Sequence, residues 1–208
     1  MSPKEEIEYY DNLMENIEDN ITSKDFNTSN LDKGNDEIYE TEKAKITITT
    51  SDNQKNNLNG NTTNIDLGQC EVELKKFYNL TGNETVYMKK IDITQEGMRI
   101  PKIEYDVYSK LNGDSLIKLN ISICNKNNVF LYVPVIIIGN LDQLNKNSDY
   151  YNDICYTAKS DSGTDITPKD RQREYINKTV CQDDCDFDFY NDTSQKAICS
   201  CRVFFFIY

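Results

Sequence analysis

Residues 181–201 read CQDDCDFDFYNDTSQKAICSC, four cysteines in two close pairs with acidic side chains between them. Four thiols in so short a span suit two chemistries. As thiolates they hold a structural zinc tetrahedrally; oxidised, they staple a fold outside the reducing cytosol. The zinc set would be Cys181, Cys185, Cys199 and Cys201. A single residue between Cys199 and Cys201 is short against the roughly two to four residues that zinc ribbons and fingers use. No histidine exists to complete another set. The disulfide alternative takes in Cys70, Cys124 and Cys155 as well, seven cysteines in all, and leaves an odd thiol for another chain or segment. Spacing does not settle which cysteine pairs with which.

A second residue class bears on the choice. Asparagine followed by any residue except proline, then serine or threonine, is the acceptor for N-linked sugar. Such triplets begin at Asn20, Asn27, Asn61, Asn79, Asn83, Asn120, Asn177 and Asn191. Composition alone predicts about three of them. The excess points to the secretory route, where cysteines oxidise. Asn120 is expected on the polar face of a strand, and Asn191 in an exposed loop between the cysteine pairs.

Other chemistries fit less well. Without histidine the Ser-His-Asp and Cys-His arrangements fall away, and with them the commonest general base. Asp161-Ser162-Gly163-Thr164 has the form of an aspartic-protease triplet, but the polar TAKS precedes it where an apolar strand is required; a glycine turn is the plainer expectation. Asp184, Asp186 and Asp188 match the first three ligand positions of a calcium loop. Its glycine position is filled by Phe189 and its closing glutamate position by Gln195, so a solvated acidic loop is expected. No glycine-rich phosphate loop occurs in the chain. The expectation is a protein that is not an enzyme and takes no cofactor or metal.

The elements that must position these residues fall into two parts. The acidic excess, part of a net charge of -12, is concentrated before residue 70, and every cysteine lies from residue 70 onward. Residues 1–69 therefore read as an acidic, asparagine-rich arm and 70–203 as the cysteine-bearing domain. Within the arm, Ser2, Pro3 and Glu5 have the order of a capping box. Ile7, Tyr10, Met14, Ile17 and Ile21 then form one stripe, predicting a helix over about 3–21. The polar stretch 51–64 reads as a mobile linker. Such acidity argues against nucleic acid as a partner.

In the second part the period changes to two. Ile103, Tyr105 and Val107 alternate with charged residues, as do Ile117, Leu119, Ile121 and Ile123, with Asn-Gly at 112–113 as the turn between two antiparallel strands. VFLYVPVII (129–137) is a third strand, with Pro134 expected at an edge or bulge, and TVYMKKIDI (85–93) a fourth. The fold class is mainly β, an antiparallel sandwich-like or small mixed β domain with an N-terminal helix and flexible arm. Residues 204–208 continue RVFFFIY as a bare apolar end that reads as a cut through a longer chain; no signal peptide or membrane span is visible.

The blocks ETVYMKKIDITQEGMRIPKIEYDVYSKLNG, YYNDICYTAKSDSGTD and VCQDDCDF resemble cysteine-bearing ectodomain segments of large protist surface proteins. That resemblance covers residues 70–203 and implies a cysteine-rich region and a membrane anchor beyond this chain. It carries over no catalytic residue. The expected function is a disulfide-containing, N-glycosylated, non-enzymatic segment of a secreted or membrane-anchored surface protein, serving adhesion, recognition or spacing. Its partner would be a protein or glycan, with membrane contact only through other parts of a longer chain. The alternative is an intracellular zinc-stabilised interaction module with an acidic helical arm.

Overall fold

The computed structural model describes residues 3–58, 60–80, 84–96, 98, 100–111, 113, 115–136, 139–160, 162–174 and 179–203, without the side chains of 3–7 and 174. The chain opens with helix α1 (Pro3–Thr22) and a 3-10 turn at Leu31–Lys33, followed by strands β1 (Glu37–Glu40) and β2 (Ala44–Thr50). Next come α2 (Ser51–Asn56), β3 (Asn64–Asp66), α3 (Gln69–Phe77), β4 (Tyr87–Ile93), β5 (Lys102–Ser109) and β6 (Ile117–Lys118). A 3-10 turn at Ile121–Cys124 leads into β7 (Asn128–Pro134). Helices α4 (Asp149–Asn152) and α5 (Pro168–Glu174) precede the final hairpin, β8 (Cys185–Asn191) and β9 (Lys196–Arg202).

Two antiparallel sheets result, ordered β1-β2-β4-β5-β6 and β3-β7-β9-β8. Strand β4 is the key to their layering, because side chains on a strand alternate between faces. Tyr87 and Ile91 join Ile46, Ile48, Ile17 and Ile21 in a core beneath α1. Met88 joins Ile65, Val107, Leu131, Ala197 and Cys199 in the larger core between the sheets. The five-stranded sheet is thus covered on both faces, which is why YMKKIDI shows no clean alternation of apolar and polar residues. A satellite cluster of Tyr150, Tyr151 and Ala158 forms beside α4 and α5 around the buried Arg171.

The expected mainly β fold with an N-terminal helix is the one observed. The arm is a correction. β2 pairs with β4 along seven residues and β3 pairs with β7, so strands that precede the expected boundary at 69/70 are hydrogen-bonded to strands that follow it. Residues 51–64, read as a linker, carry α2. The Thr50 side chain accepts from the Asn53 backbone N–H at 3.0 Å, an N-cap worth about 1 kcal/mol. The Asn53 side-chain amide donates to the Leu31 carbonyl at 3.1 Å and Asp36 Oδ1 at 2.8 Å, and Gln54 Oε1 accepts from the Ile65 N–H at 3.2 Å. Polar side chains here replace water as partners for buried groups. Composition reads them as solvated.

The helix stripe does find a partner. Ile17 and Ile21 are buried, and Tyr10 and Met14 pack against the same core; Ser2 and the side chains of Glu5 and Ile7 lie outside the described residues. A further correction concerns 116–124, expected as one strand. β6 is only two residues long with Ile117 exposed, and Ile121–Cys124 is a 3-10 turn capped by Asn120, whose Oδ1 accepts from the Ser122 N–H. Linking Cys124 to α3 draws this segment off the sheet. Pro134 sits at the end of an interior strand, beyond the last residue that β3 pairs, where no neighbour needs its missing N–H.

Candidate functional site

The tertiary structure divides the cysteines into three bridges and one free thiol. Cys70 on α3 joins Cys124, Cys181 joins Cys199, and Cys185 joins Cys201, its directly opposed partner across β8 and β9. Cys155 is exposed and unbridged. The four sulfurs of the zinc reading are consumed in two separate disulfides and do not converge on a point. Cys185–Cys201 staples an opposed pair of the hairpin ladder, and Cys181–Cys199 ties the segment before β8 to β9; Cys70–Cys124 spans 54 residues and clamps α3 onto the turn before β7.

Of the eight sugar-acceptor asparagines, Asn83 and Asn177 lie outside the described residues. Asn20, Asn27, Asn61, Asn79 and Asn120 are exposed. Asn191 is half-buried at the end of β8 rather than in an open loop, a correction that follows from the strand continuing past Asp188. Asn27, Asn120 and Asn191 each accept through Oδ1 from the N–H two residues on, so these triplets form compact Asx turns. Asn120 is the cap of a turn, not a strand residue.

Asp184, Asp186 and Asp188 do not gather into a ligand set: among the described residues no group of three or more acidic or cysteine side chains is placed to hold a metal. Asp186 and Asp188 stand exposed on β8, the outer strand of its sheet, where charge discourages edge-to-edge pairing. Asp161 lies outside the described residues; Ser160, Ser162 and Thr164 exchange hydroxyl hydrogen bonds around Gly163, which has φ +81°. That arrangement is a turn.

Two buried polar centres were missed by sequence reasoning, and both hang from the consecutive lysines of β4. Lys89 faces α1. It pairs with Glu18 and, at 3.0 Å, with Asp106, which also binds Lys118 at 2.8 Å; Glu18 accepts from the Tyr108 hydroxyl at 2.7 Å. Lys90 faces the second sheet. Its Nζ meets the Thr63 carbonyl and hydroxyl at 2.6 Å each and Asp92 at 2.9 Å, and Thr63 donates to Asp92. Beside it Lys196 donates to the Thr62 carbonyl at 2.7 Å and the Asn64 side-chain oxygen at 2.5 Å. Burial first, then the charge of Lys90, brings the Lys196 pKa down to about 8. The signal available in sequence was the doubled lysine inside a strand, because a solvated face can absorb only one of two neighbours.

A third centre governs acid stability. Glu71 on α3 bonds Lys55 at 2.7 Å and Lys75 at 2.9 Å. Burial alone would raise its pKa, but these two lysines lower it below the usual 4.5. Asp106 is likewise lowered: burial opposes ionisation, and Lys118 and Lys89 outweigh it. A carboxylate with a depressed folded pKa contributes stability above its unfolded pKa and loses it as pH falls through the folded value. The urea midpoint should therefore drop between about pH 5 and about pH 3, and Glu71→Gln should flatten that drop.

An open cleft of about 770 Å³ runs beside β5 and the Cys185–Cys201 bridge, lined by Met14, Tyr105, Lys118, Leu131 and Arg202 among others. Its lining mixes apolar groups with charges of both signs and assembles no nucleophile–base pair. No protein-family model, curated protein or solved structure matches this chain.

Proposed function

We propose that this chain is a non-enzymatic, N-glycosylated segment of a secreted or membrane-anchored surface protein, acting in adhesion, recognition or as a spacer toward a protein or glycan partner. The observation that carries the reading is the set of three disulfides, each between cysteines of low exposure or opposed register. Such bridges persist in oxidising compartments and are rare in the cytosol. The exposed acceptor asparagines support it, since sugar is tolerated only where the side chain reaches solvent. The fold suits the role. Bridges at the β8–β9 hairpin and between α3 and the turn before β7 leave one exposed thiol, Cys155, at the surface. No described helix is long and apolar enough to cross a membrane, so any anchoring would come from other segments.

Production in a secretory host tests this. Non-reducing peptide maps should recover Cys70–Cys124, Cys181–Cys199 and Cys185–Cys201. Peptide-N-glycosidase should remove sugar from most of Asn20, Asn27, Asn61, Asn79 and Asn120, with lower occupancy at the half-buried Asn191. A metal chelator should leave the melting temperature unchanged while dithiothreitol lowers it. Stoichiometric zinc on free thiols, or a chain secreted without any glycan, would overturn the reading.

A further inference from the structure

Lys196 is fully enclosed, yet its described contacts are a backbone carbonyl and a carboxamide oxygen, not a carboxylate. A buried lysine ordinarily has an acidic partner or gives up its proton. Asn64, 2% exposed, presents that carboxamide, and its Nδ2 donates to the Gln54 carbonyl at 3.1 Å and the Asn57 carbonyl at 3.4 Å. The register holds the two residues together: Asn64 pairs with Tyr132, and Lys196 pairs with Pro134 two residues on, so both side chains lie on one face across β7.

We propose that Lys196 and Asn64 are the two halves of an intramolecular isopeptide bond that ties β9 to β3. The Nζ lone pair of the neutral amine adds to Cγ of Asn64, and a Cγ–Nζ bond forms. One amine hydrogen passes to Nδ2, the Cγ–Nδ2 bond breaks, and ammonia departs. One C–N bond replaces another and an amide remains an amide, so the step needs no oxidant, reductant or co-reactant.

Three features of the site serve this step. The first is amine availability: burial and the neighbouring Lys90, itself paired with Asp92, hold Lys196 near 8, leaving about a tenth of it neutral at pH 7. The second is the leaving group. Two carbonyls already accept from Nδ2, and the same oxygens would accept from the protonated nitrogen as it departs. The third is position. The sheet holds nucleophile and carboxamide in contact while excluding the water that would compete. The bond would close a span of 132 residues and does not depend on the compartment proposed above.

The test is the mass of the reduced, denatured chain made in an oxidising bacterial compartment, where no glycan intervenes. It should lie about 17 Da, one ammonia, below the sequence mass. Proteolysis should release a branched peptide joining the Asn64 and Lys196 fragments, and Lys196→Arg should abolish both the branch and the deficit. Succinimide formation at Asn59-Gly60 or Asn112-Gly113 loses the same ammonia, but it gives no branch and survives Lys196→Arg. A wild-type chain at full sequence mass, or a deficit without the Lys196–Asn64 branch, overturns the proposal. The branched peptide decides even if the variant fails to fold.

Discussion

Replacing Cys70 and Cys124 together by alanine should lower the unfolding free energy by about 4 kcal/mol, the largest loss among the three bridges. The argument is the unfolded chain. A cross-link removes loop-closure entropy that grows with the logarithm of the loop, so the 54-residue span counts for more than the spans of 18 and 16 residues. The shorter two are worth about 3 kcal/mol each on the same scale. Packing adds to the difference. Cys70 is 1% and Cys124 0% exposed, both in the core between the sheets, and their loss frees α3 from the turn that precedes β7. Urea titration of the double variant against the parent measures it. A loss smaller than that of Cys185→Ala/Cys201→Ala would show that the hairpin bridges, not this clamp, hold the domain.

Asp92→Ala should cost about 3 kcal/mol or more, because it strands a charge. The Lys90 side chain is 2% exposed and Asp92 12%, with the ion pair at 2.9 Å. Without Asp92 the ammonium keeps the Thr63 carbonyl and hydroxyl but loses its counter-charge in a medium that solvates it poorly. Burial already holds the Lys90 pKa below its ordinary value, against the pull of Asp92. The variant therefore has an escape: Lys90 can shed its proton. A lysine with a depressed folded pKa costs stability at low pH and regains it as pH rises toward the unfolded pKa. The penalty of Asp92→Ala should accordingly shrink as pH rises from neutral toward the unfolded lysine pKa of about 10.4, and Lys90→Met in the same chain should recover most of it. An unchanged penalty across that range would mean the loss is packing rather than charge.

Several elements were legible in the sequence because their signals are local. The stripe from Tyr10 to Ile21 is a 3.6-residue period, and it folded as α1 with Ile17 and Ile21 buried. The alternation in KIEYDVYS marked β5 over the residues observed; the strand at 129–134 was legible as a short apolar run, and the strand ending at Ile93 without any clean alternation. The segment 116–124 carried as good an alternation and failed, because a disulfide to α3 outweighed its pattern. Residues 51–64 failed for the opposite reason. Asn53, Gln54 and Asn64 look like solvent-exposed polarity, yet each is buried and bonded to backbone.

Residue chemistry by itself set the inventory: seven thiols, no imidazole, an excess of sugar-acceptor triplets and enough period-two pattern for a β-rich chain with a leading helix. Those depend on identity and short spacing, which a linear string contains. Which thiol meets which, and that Lys196 would face Asn64 rather than an acid, depended on strand order across β3, β7 and β9. Contacts between residues more than a hundred positions apart are decided by how two sheets and a helix exclude water together, and that selection exists only in the folded chain.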